Sequence, residues 1–410
     1  GGASRQGQPG GAGSGGTGAA SMSIPTVNVE DGRIEFAEHS IQRDSYDLLN
    51  TIHVAGAFTR GSDGVYRLRM QEIGRLPPPR LAGEPALPRG MILDGRADLQ
   101  RGEATLRLLN VPLEAWPPES VPSAFRQTWR ELRIQGRIRE VLFSFDRPTG
   151  VKLSVWPENV AMDIPVKKEA GDTVKNLSLR AVNGVFSFAA SGLAAELEGI
   201  FEEQTKPVHV RIATEGPQLN AALVCEIWGE GLTVARNPGF LPYIPPTARK
   251  FIDFFSGPTG EADAKVTIAR GAPVNGEAAP VVVTDGRLTV RNGTAAFHKF
   301  PYPFHNMEGR ATFDDRHLNI LQISGDGPTG ARLSASAQIS PLTDDAMADV
   351  SVHVSNVPVD EYLRKAMPGT RKRLLEVLFN EERYAELVAA GLVRDPTGRV
   401  TGPTVEREAS

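Results

Sequence analysis

The sequence predicts a mostly β protein, an elongated and repeating β-sheet groove of antiparallel strands and hairpins with short helices between the repeats. Two observations predict this fold. Apolar and polar residues alternate along many short segments, which is the pattern of half-buried strands. A turn dipeptide, a Gly-Phe segment and a helix that starts at proline also recur in the same order three times. The 42 glycines and 31 prolines suit a chain with many turns.

Each copy opens with a dipeptide that favours a tight turn. These dipeptides are Asp31-Gly32, Asn183-Gly184 and Asp285-Gly286. Both residues of such a pair reach positive φ easily, so each pair predicts a β-hairpin. Alternating apolar residues follow, as Ile34 and Phe36 do after the first pair.

A segment with an apolar residue, a glycine and a phenylalanine follows each dipeptide. The three copies are VAGAF at 54–58, LEGIF at 197–201 and MEGRATF at 307–313. Glycine inside a strand often marks a bulge or a close backbone approach. We therefore expect a strand at each of these segments.

Each copy closes with a proline just before an amphipathic segment that contains arginine. The three segments are VPSAFRQTWREL at 121–132, IPPTARKFIDFF at 244–255 and MPGTRKRLLEVLF at 367–379. Proline fits the first turn of a helix, where its missing N–H is not needed. We expect short helices that cover the edge of the sheet, with contact to a membrane surface as the alternative.

These markers divide the chain into a linker, three units and a tail. The predicted divisions are a disordered Gly/Ser-rich linker at 1–26; unit one at 27–175, with a Pro-rich insert at 74–90 and a helix near 122–132; unit two at 176–280, with a helix near 245–256; unit three at 281–400, with a C-terminal helix near 369–391; and a polar tail at 401–410. The linker suggests a fragment of a longer protein or a processing boundary, so that an anchor could precede it.

Alternation places one set of apolar side chains on a common face of the sheet, and these are the candidate functional residues. They are Ile34, Phe36, Val208, Val210, Ile212, Val266, Ile268, Leu288, Val290, Val350, Val352 and Val354. A second sheet can cover such a face, as in a sandwich, or hydrocarbon can cover it in a groove. Alternation alone does not distinguish the two.

Composition and motifs exclude several classes of function. With 45 basic and 49 acidic residues, a general nucleic-acid binder is disfavoured. The single cysteine, Cys225, excludes an intrachain disulfide and a cysteine-based metal cage. The seven histidines form no H-E-x-x-H pair. Asp314-Asp315 and Asp344-Asp345 occur in turn-like contexts. We predict no catalytic residue, no metal site and no cofactor.

The third copy carries a family resemblance. Its sequence GRLTVRNGTAAFHKFPYPFHNMEGRATF, followed by LNILQISGDGPTGARLSASAQI and VSNVPVDEYL, resembles the AsmA-like proteins of bacterial envelopes, the group of TamB and YhdP, and especially planctomycete-type AsmA-like regions. The resemblance is best over about 281–370 and weaker over 27–270. This chain lacks the N-terminal transmembrane helix of that family and ends in polar residues, which fits a fragment.

The resemblance implies a non-enzymatic periplasmic protein that is tethered to the inner membrane through an anchor missing from this chain. Its curled groove would shield phospholipid acyl chains during transfer between the inner and outer membranes and so serve outer-membrane biogenesis. A scaffold that assists outer-membrane protein assembly by strand addition is the alternative. An envelope polysaccharide enzyme is a third possibility, and it needs two carboxylates about 5–10 Å apart.

Overall fold

The protein is described by a computed structural model, which covers residues 26–40, 44–74, 90–121, 123–164, 177–202, 204–218, 220–234, 255–343 and 345–367, with isolated positions from 369 to 390. The strands are β1 Val27–Ser40, β2 Ser45–Arg60, β3 Tyr66–Glu72, β4 Ile92–Asp98, β5 Glu103–Pro112, β6 Gln135–Asp146, β7 Gly150–Ile164, β8 Leu177–Ala189, β9 Gly192–Phe201, β10 Val208–Thr214, β11 Leu223–Val234, β12 Phe255–Arg270, β13 Val281–Phe297, β14 Phe300–Phe313, β15 Leu318–Asp326, β16 Arg332–Ser340 and β17 Met347–Ser355. The helices are α1 Ser123–Leu132 and α2 Glu361–Ala366, and two 3₁₀ turns, Leu113–Ala115 and Pro118–Ser120, precede α1.

All seventeen strands form one antiparallel sheet in which each strand pairs with its neighbours in sequence. Within the described part of the chain, β1 pairs only with β2 and β17 only with β16, so the sheet is open. The predicted fold class, a mostly β and elongated groove of antiparallel strands, is confirmed.

The connections between strands lie on two opposite rims of the sheet, because successive strands run in opposite directions. Connections after even-numbered strands lie on one side, which we call the turn rim. Connections after odd-numbered strands lie on the other side, which we call the helix rim. It holds α1 after β5 and α2 after β17.

The three turn dipeptides are not hairpin turns, and that prediction was wrong. Asp31-Gly32 lies inside β1, Asn183-Gly184 inside β8 and Asp285-Gly286 inside β13, each at or beside a shift of pairing register. Gly184 shows why glycine occurs there. Its φ is +131°, and a Cβ at this position would lie 2.1 Å from the carbonyl oxygen of Glu196 on β9.

The strand prediction for the Gly-Phe segments is confirmed, since they lie in β2, β9 and β14.

The first predicted helix corresponds to α1. For the second, residues 245–254 lie outside the described residues, and Phe255 and Ser256 belong to β12, where they pair with Phe297 and Ala296 of β13. The predicted end at 256 was therefore wrong, because strand pairing begins earlier than the helical pattern suggests. Most of 369–391, residues 1–25, 75–89 of the Pro-rich insert and 401–410 also lie outside the described residues. Helix α2 was not predicted.

The first and third copies follow the same strand order. Strands β1 and β13 hold VEDGRIEF and VTDGRLTV, and each begins a run of five strands that ends in Asn-Val-Pro. Asn110 and Asn356 of those tripeptides have φ values of +57° and +55°. In the second copy, the run that begins at β8 has four described strands, β8 to β11, before residue 235. The runs that begin at β1 and β13 have five. The exact division into three units stays a prediction. One sheet spans both inner boundaries, since β7 pairs with β8 and β12 with β13.

The core lies on one side of this single sheet. A buried cluster of Ile52, Val54, Met91, Leu93, Leu108 and Val111 is packed against residues of β1, β3 and β6. In a flat sheet, β1 and β5 would be about 19 Å apart, because four inter-strand spacings separate them. Instead Phe36 of β1 contacts Trp116, four residues beyond β5. The sheet therefore curves with its apolar face inside. None of the helices in the described part of the chain has the length and hydropathy to cross a bilayer.

Candidate functional site: the apolar face of the groove

An unbroken row of apolar residues crosses the sheet from β1 to β13. Residues paired across antiparallel strands share a face, so the registers define each row. In strand order the row reads Val29, Gly56, Met70, Leu93, Leu108, Val141, Val155, Phe186, Ala195, Ile212, Cys225, Ile268 and Val283. We call it the long row. Its thirteen members include no polar side chain other than the thiol of Cys225.

Neighbouring rows extend the same face to the last strand. On the turn-rim side, a row from β1 to β9 reads Val27, Phe58, Leu68, Gly95, Leu106, Phe143, Leu153, Phe188 and Leu193. On the helix-rim side, a row from β9 to β17 reads Gly199, Val208, Gly229, Ala264, Leu288, Ala311, Ile320, Ala337 and Val350. Every strand thus contributes apolar residues to one continuous surface.

All twelve candidate residues lie on this face. Ile212 and Ile268 belong to the long row. Val210 and Val266 lie two residues before them on the same strands, and Ile227 of β11 pairs with both. Val208, Leu288 and Val350 share the helix-rim row, and Val290 and Val352 lie in the next one. Ile34, Phe36 and Val354 complete the set on the first and last strands. Their exposure differs: Val208 is buried, whereas Val352 is 60% exposed.

The opposite face of the sheet is polar and carries cross-strand ion pairs. Arg211 Nε donates to Glu196 at 3.1 Å, and Arg211 Nη1 donates to Glu226 at 3.5 Å. Lys265 Nζ lies 2.9 Å from Glu226, and its hydrogen bond holds the pKa of that carboxyl below its ordinary value. The two faces therefore differ sharply in polarity.

The connection from β5 to β6 covers part of the apolar face on the helix-rim side. Leu113 of its first 3₁₀ turn packs with Val160 and Val182, and Trp129 of α1 packs on the same cluster. Trp129 Nε1 donates to the carbonyl of Trp116 at 3.1 Å, which joins the two parts of the connection. We call this segment, residues 113–132, the roof. Beneath it Val182 of β8 is only 4% exposed.

Helix α2 covers the apolar face near β14, again on the helix-rim side. Leu363 and Ala366 pack with Phe300, Tyr302 and Phe304. Asp360 is buried and caps the helix, since its carboxylate accepts from the Leu363 amide at 2.9 Å and from Thr329 Oγ1 at 2.7 Å. Burial raises the pKa of the Tyr302 phenol. The sequence signal for α2 is this aspartate followed by an acidic residue in the first turn.

On the turn-rim side, the apolar face stays exposed across β6, β7 and β8. Phe188, on the same strand as the covered Val182, is 38% exposed. Phe143, two strands away in the turn-rim row, is equally exposed. Phe145 and Val151 form the next pair toward the rim. Sequence reasoning missed these residues as candidates. The F-S-F alternation at 143–145 and 186–188 was the signal that could have found them.

Two of the ionisable residues, His209 and Asp314, make local contacts in the structure. His209 stacks on Trp228 on the polar face, with centroids 5.3 Å apart. Asp314 accepts backbone bonds from Arg316 and His317 in its own turn, each at 2.7 Å. Within the described ranges, no group of three or more His, Cys, Asp or Glu side chains is placed to hold a metal. Comparison with known protein families, with curated proteins and with solved structures finds no significant match to this chain.

Proposed function

We propose that this chain belongs to a non-enzymatic AsmA-like envelope protein, whose groove shields phospholipid acyl chains as they move between the inner and outer membranes. The observation that carries the proposal is the long row, thirteen apolar residues in register across thirteen strands on the inner face of a curved single-layer sheet. No second sheet covers that face in the described part of the chain.

The energetics of the face suit hydrocarbon. Burying one methylene contributes about 0.8 kcal/mol, so a sixteen-carbon chain gains roughly 10 kcal/mol gross. A carrier must spread that gain evenly, because a single deep polar pocket would trap the lipid. Aliphatic and aromatic side chains at successive strands, without charges between them, provide such an even surface.

The setting of the proposal comes from the sequence resemblance. The protein would work in the periplasm and be tethered to the inner membrane by an anchor outside this chain. Phospholipid acyl chains would be its cargo, and outer-membrane assembly proteins possible partners. No nucleic acid, metal or cofactor is assigned to it.

Lipid analysis of the purified protein tests the proposal. Wild-type protein is expected to retain phospholipid, which mass spectrometry of organic extracts detects. Val352→Glu places a charge on the apolar face at an exposed position, and Ser351→Glu is the matched control on the opposite face of β17. Val352→Glu and Val210→Glu should lose lipid while their circular dichroism stays that of a folded sheet. A lipid-free wild type, with variants that merely unfold, would contradict the proposal.

Strand addition is the second candidate, and the outer edge of β17 favours it. All nine residues of β17 pair with β16 without a register shift, and on its other side β17 has no partner strand among the described residues. Such a regular edge is a template for another strand. A photo-crosslinker at Ser351 or His353 should capture a β-rich protein if this function operates, and should capture none if the edge is inert.

A further inference from the structure

We infer that the groove admits a phospholipid at the turn rim of β6–β8, with its acyl chain on the side chains of Phe143, Phe145, Val151 and Phe188 and its phosphate at Arg147 and Arg101. We call these four apolar residues the rim patch. The inference rests on the proposed function and gives it a location and a ligand class, an anionic glycerophospholipid.

The first argument is a gradient of exposure along single strands. On β7, Val160 beneath the roof is 2% exposed, whereas Val151 at the turn rim is 45% exposed. Strand β8 shows the same change from Val182 to Phe188. The roof therefore fills the helix-rim half of the groove at these strands. Among the described residues of β6–β8, the apolar floor is exposed in the turn-rim half.

The second argument is the continuity of the rim patch. Phe143 of β6 and Phe188 of β8 both pair with Leu153 of β7, so the three side chains stand side by side on adjacent strands. Phe145 pairs with Val151 one step nearer the rim. Three strands span about 10 Å, which is wider than one alkyl chain. The patch also joins the long row, because Phe186 and Val155 lie next along β8 and β7.

The third argument is the charge directly beyond the patch. Arg147 begins the β6–β7 turn, two residues after Phe145, and forms no ion pair with any described residue. Its side chain lies across Gly102 in the neighbouring β4–β5 turn, where a Cβ would come within 2.3 Å of Arg147 Nε. Arg101 in that turn is 70% exposed and stands 3.7 Å from Asp98. Two arginines thus project from adjacent turns.

The acidic groups of these turns are already engaged by their own backbone. Asp98 Oδ1 accepts from the amides of Gln100 and Arg101, each at 3.0 Å. Asp146 accepts from the Thr149 hydroxyl and, at 2.8 Å, from the Thr149 amide, and these bonds lower the pKa of its carboxyl. Asp98, Glu103 and Asp146 pair with one another across β4, β5 and β6, one residue along from Ala97, Ala104 and Phe145, so these carboxylates lie on the opposite face from the rim patch. Arg147 has no acidic partner among the described residues, and the exposed Arg101 is held only by its 3.7 Å pair with Asp98. Guanidinium is the side chain best suited to bidentate contact with phosphate. An apolar patch that ends at two arginines fits a lipid with a phosphate at the end of its acyl chains.

Two photoactivatable lipids test the inference on the purified chain. Phosphatidylglycerol and diacylglycerol, each with a diazirine in the acyl chain, are mixed with the protein, irradiated and mapped by peptide mass spectrometry. Crosslinks are expected in β6–β8 with both lipids. Phe143→Glu should reduce capture of both about tenfold, and Arg147→Glu should reduce capture of phosphatidylglycerol about tenfold while leaving diacylglycerol unchanged.

The matched controls lie on β6 and β7, on the face opposite the rim patch. Ser144→Glu controls for Phe143→Glu, and Lys152→Glu controls for Arg147→Glu; both should bind like the wild type. Phe188→Ser provides a second variant of the patch if Phe143→Glu loses its sheet signal. Lipid capture that maps only to β12–β17, or an Arg147→Glu variant that behaves like Lys152→Glu, overturns this site and leaves the proposed function standing. Failure of the wild type to capture either lipid overturns both.

Discussion

The indole ring of Trp116 meets the ring of Phe36 edge to face, with centroids 5.0 Å apart and planes at 72°. Phe36 lies on β1 and Trp116 in the roof, so the contact ties the first strand to the connection after the fifth. Two polar contacts support it. The Ser123 amide and hydroxyl donate to Glu38 at 2.9 and 2.8 Å, and Asn50 Nδ2 donates to the carbonyl of Ala115 at 3.3 Å. The roof therefore holds the curvature of the first five strands.

Removing the indole should loosen this end of the groove. We expect Trp116→Ala to lower the free energy of unfolding by about 2–3 kcal/mol, because a partly buried aromatic contact and its packing are lost. Urea denaturation measures the change. Trp156→Ala, on the polar face of β7 opposite Glu140, is the control and should cost clearly less. Equal losses in the two variants would show that the roof does not hold the curve.

Helix α2 should depend on its aspartate cap. Asp360→Ala removes the acceptor of the Leu363 amide and of the Thr329 hydroxyl, and should cost about 2 kcal/mol. Hydrogen exchange at the Leu363 amide should also quicken. Glu361→Ala, an exposed first-turn residue of the same helix, serves as the control. An unchanged exchange rate in Asp360→Ala would mean that the cap is not what holds α2.

The glycine in the β8 bulge should not tolerate a side chain. Gly184→Ala combines a φ of +131° with a Cβ only 2.1 Å from the Glu196 carbonyl oxygen, so we expect a loss of about 3 kcal/mol or more. Gly150→Ala has a φ of +77° and nothing within 4 Å of its Cβ, so only the backbone term of about 1 kcal/mol applies. Thermal unfolding of the two variants compares them. A Gly184→Ala protein as stable as Gly150→Ala would contradict the strand register at this bulge.

Cys225 offers a native reporter on the long row. Burial raises the pKa of its thiol, and the thiolate is the reactive form, so maleimide labelling should be slow at neutral pH and quicken as pH rises. Bound lipid should slow it further by covering the face. A Val224→Cys variant in a Cys225→Ser background places the thiol on the opposite, exposed side of β11. That variant should label quickly whether or not lipid is present. Lipid protection of both thiols would point to a nonspecific effect.

The β2–β3 turn should contribute to stability in a pH-dependent way. Hydrogen bonds from Arg67 and from the Val65 amide lower the pKa of Asp63 from 3.8 to about 2. Because the folded-state value is depressed, this contribution is fully present above pH 3.8 and is lost as pH falls through about 2. Asp63→Asn should therefore lower the melting temperature at pH 6 and make no difference below pH 2. Arg67→Gln should show the same pH dependence. A difference that persists unchanged below pH 2 would assign the effect to packing.

Sequence reasoning correctly predicted the mostly β fold, and strands at the segments where the alternation is clearest. The alternation in 208–212 and 350–354 predicted the apolar side of β10 and β17, and the structure has it so. The error concerned Asp31-Gly32 and its two counterparts. Residues that reach unusual φ values serve both a chain reversal and a bulge within a strand, and only the partner strand distinguishes these outcomes. The exposed Phe143 and Phe188 were overlooked because their exposure depends on where the roof ends.

What the sequence by itself determined is therefore local: strand periodicity, the polarity of each strand face and the recurrence of Asn-Val-Pro before a helix. These follow from neighbouring residues, since side chains two apart in a strand share a side. Only the tertiary structure decided that the faces of all seventeen strands join into one surface, and that the roof covers one half of it while the rim patch stays open. Pairing register and curvature depend on contacts between distant residues, such as Phe36 and Trp116, which no local pattern encodes.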